Sequence, residues 1–169
     1  CYTSQAAMKL YNRRNEQLAD AAERSAVAAD WLGTAEYPQD FLSEAWKRFI
    51  WHQFHDDLTG TSLPRAYEFS WNDELVSLKQ FAGVLTSSVG AVSTELDTDV
   101  KGLPVVVYNP VAVPVSGMVE ISVPYQGKKV SVYGADGRPV PCQIISSEED
   151  GMTELLFQAA VPAAGYAVY

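Results

Sequence analysis

Both histidines of the chain lie in one aromatic-rich stretch, Trp51-His52-Gln53-Phe54-His55-Asp56-Asp57-Leu58-Thr59-Gly60-Thr61-Ser62. A histidine beside a carboxylate, at the end of a predicted helix and just before a Gly-Thr-Ser turn, brings two kinds of chemistry into few residues. Imidazole is a ligand suited to zinc, and an aspartate accepts hydrogen bonds from hydroxyls such as those of a sugar. A closed zinc site takes four ligands, however, and His52, His55 and the local carboxylates do not complete one. His55 alone also fits a plainer role, a partly buried ring bonded to a backbone carbonyl or to Asp56.

The predicted helix runs from about residue 39 to Leu58, and its geometry constrains the candidates further. Each residue advances by about 100°, so His55 points away from the Leu42/Trp46/Phe49 stripe. Asp56 and Asp57 diverge and cannot converge on one glycosidic bond as an acid/base pair. His52 and Asp56, four apart, are expected to pair along the helix, which would fix the ring without catalysis. Trp31, Trp46, Trp51 and Trp71 all fall in the first half of the chain. At least three of them are expected in the core, with Trp51, nearest the His-Asp pair, as the exception that could stack on a sugar. Arg13, Arg14, Lys9 and Arg24 are interleaved with Glu16, Asp20 and Glu23 and read as a solvated helix face.

Three long helices must position this stretch. Met8, Tyr11, Leu18, Ala22, Ser25, Ala29 and Leu32, with Asn15 in the gap, recur at spacings of three and four, with Thr3 or Ser4 as cap and Gly33 as terminator. Leu42, Trp46, Phe49, Ile50 and Gln53 face the bundle from the second helix, while Trp51, Phe54 and Leu58 form another patch. Gly60 ends that helix, Ser62 and Pro64 begin the next, and Leu75, Leu78, Phe81, Ala82, Leu85 and Val89 are its expected apolar face. Near residue 100 the pattern changes to about six β-branched runs: 105–108, 119–123, 130–133, 140–145, 153–157 and 166–169. Asn109-Pro110, Gln126-Gly127, Ala135-Asp136-Gly137 and Asp150-Gly151 supply turns. The expected class is α+β in two domains, an antiparallel three-helix bundle over 1–99 and a small antiparallel β-sandwich over 100–169.

Composition sets the outer limits. The 169 residues are 47% hydrophobic and 20% charged, the balance of a globular chain. A net charge of −9 and a pI near 4.6 oppose nucleic acid and anionic membrane surfaces as partners. No apolar run is expected to approach the roughly 20 residues of a bilayer span. Cys1 and Cys142 are expected to be free thiols. The chain opens without a methionine, which suggests a piece of a longer polypeptide and leaves its compartment open. A bacterial cytoplasm or periplasm is the expectation.

The residues also resemble a known family, the α-mannosidases of glycoside hydrolase family 38. Tyr2-Thr3-Ser4-Gln5, Lys9, Asn12-Arg13 and Ala21-Ala22-Glu23 resemble the opening of that family's three-helix domain. Ala45-Trp46-Lys47 and Gln53-Phe54-His55-Asp56-Asp57-Leu58-Thr59-Gly60-Thr61-Ser62 are similar to its signature stretch. Leu103 to Pro110 and Val161-Pro162-Ala163-Ala164-Gly165-Tyr166 resemble its β region.

The resemblance implies that His55 is a ligand of the active-site divalent metal, usually zinc, and that Asp56 contacts hydroxyls of bound mannose. It implies a retaining mechanism whose nucleophile and acid/base lie on a preceding catalytic domain, so no catalytic residue is assigned here. Mannose-containing oligosaccharide, that catalytic domain and further β domains are the implied partners. The chain alone is expected to be inactive and to hold no zinc tightly. Phe54 stands where Golgi and lysosomal members have a second histidine, which points to the cytosolic, vacuolar and bacterial subgroup. The competing expectation is a non-catalytic carbohydrate-binding or interaction module.

Overall fold

The computed structural model describes residues 3–127, 129–147 and 151–169. Cys1, Tyr2 and the Asp150 of the last predicted turn lie outside the described residues. The chain divides into two compact units, Cys1–Leu96 and Asp97–Tyr169.

The first unit is helical: α1 (Ala6–Trp31), α2 (Gln39–Trp51), a one-turn α3 (His55–Leu58) and α4 (Pro64–Ser93). The three long helices are the expected bundle, and α3 is an addition. α1 and α4 run side by side in the same direction, with Asn15 opposite Glu74 and Ser4 opposite Gly60. α2 runs against both. Gly33 takes the left-handed conformation at the α1 terminus, and Pro64 opens α4 where its missing N–H costs nothing. Neither Thr3 nor Ser4 caps α1. Gln5 occupies that position with φ 50°, and Ser4 Oγ donates instead to Gly60 O at 2.9 Å.

The core face of α4 differs from the expected leucine stripe. Tyr67, Ser70, Glu74, Ser77, Phe81, Val84, Ser88 and Val92 are buried, whereas Leu75 is exposed and Leu78, Ala82, Leu85 and Val89 are half-buried. Its partner face on α1 is equally small: Ala19, Ala22, Ser25, Ala26 and Ala29, beside Met8 and Asn15. Small side chains let two helices lie close together along their length, which leaves little room for an indole. Three of the four tryptophans are accordingly exposed, against expectation: Trp31, Trp51 and Trp71. Trp46 alone packs in the core, edge-on to Phe81 at 5.5 Å, with its N–H on Glu23 Oε1. Arg13–Glu16 and Arg24–Asp20 are exposed pairs, the solvated face expected of them. α4 is also long and apolar enough by length and composition to cross a bilayer, contrary to the reading of the sequence. Its polar face is spent on α1, as in the core helix of a bundle.

Among its described residues the second unit holds seven strands. β1 (Val106–Asn109) pairs with β7 (Gly165–Val168), and β3 (Val132–Tyr133) pairs with β4 (Pro139–Val140). β2 (Val115–Pro124), β6 (Met152–Val161) and β5 (Cys142–Ser147) form a three-stranded sheet in that order. All pairings are antiparallel. The expected run 140–145 splits at Pro141, which has no N–H to give a ladder. Phe157, Ala159 and Val161 of β6 are the buried centre, with Val107, Val119, Ile121, Val132 and Val140 against them, so the three small sheets share one core. Cys142 is a free thiol.

Between α1 and α4 a carboxyl group is fully buried. Glu74 accepts from Asn15 Nδ2, while Asn15 Oδ1 and Glu74 Oε1 have no hydrogen-bond partner. Burial pushes the Glu74 carboxyl up to about 7, against the opposing pull of the Asn15 bond and of His52. A proton on Glu74 supplies the donor that two facing acceptors lack. Because the folded value lies above the unfolded one, this contribution is complete below about pH 4.5 and lost as pH rises through about 7. Glu74→Gln is expected to be near neutral at pH 4.5 and stabilising at pH 8 by roughly 3 kcal/mol. Denaturant unfolding of the two proteins across that range measures it.

Candidate functional site

The His-Asp stretch is not a continuous helix. α2 ends at Trp51, and three tight turn bonds follow: His52 N–H to Phe49 O, Gln53 N–H to Ile50 O, and Phe54 N–H to Trp51 O, at 3.0–3.3 Å. Phe54 is then extended (φ −56°, ψ 141°), and α3 restarts with Asp57 and Leu58 N–H both on Phe54 O. The break has an identifiable beneficiary, the buried carboxylate of Asp57. His52 Nδ1 lies 2.6 Å from Asp57 Oδ2, and Ser70 Oγ lies 2.8 and 2.9 Å from its two oxygens. On an unbroken helix, residues five apart point about 140° away from each other and could not meet. His52 therefore pairs with Asp57 and not with Asp56, a correction that follows from the break. Its other ring nitrogen lies 3.3 Å from Asp73 Oδ2, and Asp73 also accepts from Arg48 at 3.1 Å.

The backbone of the turn is held as firmly. Thr61 and Ser62 N–H donate to Asp56 O at 3.1 and 3.0 Å. Tyr67 Oη, buried in α4, lies 3.1 and 3.2 Å from the Asp56 and Asp57 carbonyls and accepts from Ser62 N–H. Gly60, at φ 88°, brings the turn against the start of α1, where a Cβ would lie 2.6 Å from Ser4 O. Lys9 Nζ donates to the same Ser4 carbonyl.

With Asp57 turned inward, its two predecessors point outward. The His55 side chain is 76% exposed and that of Asp56 54%, with His55 Nε2 3.4 Å from Asp56 Oδ2. The His55 ring lies against Phe54, centroids 4.1 Å apart and planes tilted by 52°, and Asp56 Oδ1 accepts from Thr61 Oγ1 at 3.2 Å. The structure thus brings His55 and Asp56 together on one exposed edge and separates Asp56 from Asp57. His55 is not the partly buried ring of the plainer reading. Trp51 is the exposed tryptophan nearest the pair.

Four residues of this framework were absent from the candidates drawn from sequence: Tyr67, Ser70, Asp73 and, as an anchor, Asp57. For Tyr67 and Ser70 the signal was present in the three- and four-residue spacing of Tyr67, Ser70, Glu74 and Ser77, a polar face on a core helix. Beside the turn, Trp51, Phe54 and Phe69 wall a groove of about 530 Å³ with His52, Asp57 and Asp73 along it. His55 and Asp56 are not among its lining residues.

The family model described as the alpha mannosidase middle domain matches residues 1–91. The chain belongs to that family of alpha mannosidase middle domains. Among solved structures it is similar to an alpha-mannosidase from Enterococcus faecalis V583, with a TM-score of 0.70 at 16% identity. It is similar also to a protein of glycosyl hydrolase family 38 from Enterococcus faecalis, with a TM-score of 0.69 at 18% identity. Each match covers 98% of this chain and 24% of the other. The chain thus spans about a quarter of the length of the structures it matches. No curated protein matches it.

Removing the anchor tests the clamp. Asp57→Ala is expected to lower stability by about 3 kcal/mol, because it strands the buried His52 and Ser70 polar groups. Gly60→Ala is expected to destabilise as well, through the Ser4 contact and the left-handed backbone. Thermal unfolding of the 169-residue chain measures both.

Proposed function

We propose that this chain is the part of a retaining, metal-dependent α-mannosidase that completes the active site from outside the catalytic domain. His55 serves as one ligand of a divalent metal, with zinc the ion imidazole suits, and Asp56 accepts hydrogen bonds from hydroxyls of a terminal α-mannoside. The observation that carries this reading is the pair itself. The two side chains singled out by the family's signature stretch stand exposed, 3.4 Å apart, on a turn whose backbone is tied to α1 and α4. Such fixing holds a ligand and a substrate contact in one geometry.

Among the described residues no group of three His, Cys, Asp or Glu side chains is placed to hold a metal ion. His55 and Asp56 therefore fit a contribution to a shared site and do not form a metal site of their own. Retaining hydrolysis needs two carboxylates flanking the scissile bond, one as nucleophile and one as acid/base. Asp57 is unavailable for either, being buried and bonded to His52 and Ser70. Both groups are assigned to a catalytic domain, which with further β domains and a mannose-containing oligosaccharide makes up the partners of this chain.

In the full-length enzyme, His55→Ala is expected to lower metal content and to reduce mannoside hydrolysis by about 100-fold or more. Asp56→Asn is expected to retain the metal and to lose kcat/KM. Elemental analysis and steady-state kinetics on the same preparations separate the two. Metal content and activity unchanged by His55→Ala would favour a non-catalytic carbohydrate-binding or interaction module instead. The 169-residue chain alone is expected to hydrolyse no mannoside and to bind zinc weakly, as calorimetric titration would show.

A further inference from the structure

The turn that presents His55 and Asp56 is met from below by one buried hydroxyl. Pro64 opens α4, so Tyr67 stands one turn inside that helix, on the buried face it shares with Ser70 and Glu74. Tyr67 Oη lies 3.1 Å from the carbonyl of Asp56 and 3.2 Å from that of Asp57, and it accepts from Ser62 N–H at 3.1 Å. A single atom of α4 thus touches both ends of the segment 56–62.

The needs of the backbone do not account for this. Asp56 O already accepts from Thr61 and Ser62 N–H, and Asp57 O accepts from Gly60 N–H. Ser62 N–H has its own partner in Asp56 O at 3.0 Å. Every main-chain group that the hydroxyl touches is therefore paired inside the turn without it, and a phenylalanine ring would fill the same apolar space. What the oxygen adds is a tether between the turn and α4. The other tethers lie further along: the Asp57 side chain is bonded to His52 and Ser70, and Gly60 O receives Ser4 Oγ. Among the described residues no other hydrogen bond joins His55 or Asp56 to α1, α2 or α4. With only the two further anchors, the four-residue α3 could rock between them and carry the exposed pair with it.

We propose that Tyr67 is a positioning residue for the metal ligand His55 and the sugar contact Asp56, acting through the carbonyls of Asp56 and Asp57. The inference rests on the function proposed above and adds to it the residue that sets its geometry. Ligand and substrate contacts work only when held to a fraction of an ångström. Groups that orient a ligand from behind carry roughly 10- to 100-fold of metal affinity or activity.

Tyr67→Phe in the full-length enzyme removes one oxygen and keeps the ring. Calorimetric titration of the metal-free enzyme with zinc is expected to show affinity weakened by roughly 10-fold, and kcat/KM on an aryl α-mannoside to fall by a comparable factor. Amide hydrogen exchange over residues 55–62 is expected to quicken, with exchange in the rest of α4 unchanged. Ser77→Ala is the control, because Ser77 Oγ is also buried and donates to Glu74 O within α4, away from the turn. It is expected to leave zinc affinity and exchange over 55–62 as they are. Equal losses in the two variants would make Tyr67 an ordinary core residue and overturn the proposal. His55→Ala, measured alongside, separates this inference from the reading beneath it. If His55→Ala loses zinc while Tyr67→Phe changes neither affinity nor exchange, the positioning role falls and the proposed function stands. Zinc affinity untouched by His55→Ala overturns both.

Discussion

A carboxylate taken out of water must be met by donors, and in this chain the requirement of Asp57 shapes the candidate site. The donors are His52, five residues earlier, and Ser70, on α4. Reaching both requires α2 to stop at Trp51 and the chain to turn before α3 begins. Once Asp57 is committed inward, His55 and Asp56 are committed outward. The exposure of the pair therefore follows from the buried bond.

The bond is in turn possible because α1 and α4 lie close together. Their facing surfaces are rich in alanine and serine, with Met8, Phe81 and Val84 among them and the Asn15–Glu74 pair between them. Close approach brings Ser4 against Gly60 and sets Tyr67 under the carbonyls of Asp56 and Asp57. Bulky apolar side chains on this interface would have separated the helices and carried the turn away from its anchors. The large aromatics are instead displaced outward, to the rim of the groove at Trp51, Phe54 and Phe69.

Two units with different logic share the chain. The helical unit joins an apolar core around Leu42, Phe49 and Phe81 to side-chain hydrogen bonds between distant residues, whereas the β unit joins backbone ladders to a core around Phe157. β6 supplies the centre of that core because its ten residues alternate almost without exception between buried and open positions. Asn109 closes one end by donating to the carbonyls of Val113 and Pro162, both at 2.8 Å. The family model's match, residues 1–91, lies within the helical unit.

Local patterns were sufficient for much of this. The change near residue 100 from three-and-four spacing to β-branched runs separates helices from strands, because each period reflects one backbone geometry. Gly33, Pro64 and Gly137 mark ends and turns, since their φ preferences act within a residue or two. The His55–Asp56 stretch drew attention by residue type and order, and the choice of these two as site residues came from the family resemblance. What periodicity could not show was the break at His52–Phe54, because nothing local disfavours helix there. The helix is interrupted by partners 13 and 21 residues away in sequence, Ser70 for Asp57 and Asp73 for His52. For the same reason the leucines of α4 were the wrong face: which side of a helix is buried depends on how near its neighbour comes. The sequence by itself determined the elements and the chemical groups at the site. Only tertiary packing decided which carboxylate is an anchor and which is presented, because donors for a buried charge are found across the fold and not along the chain.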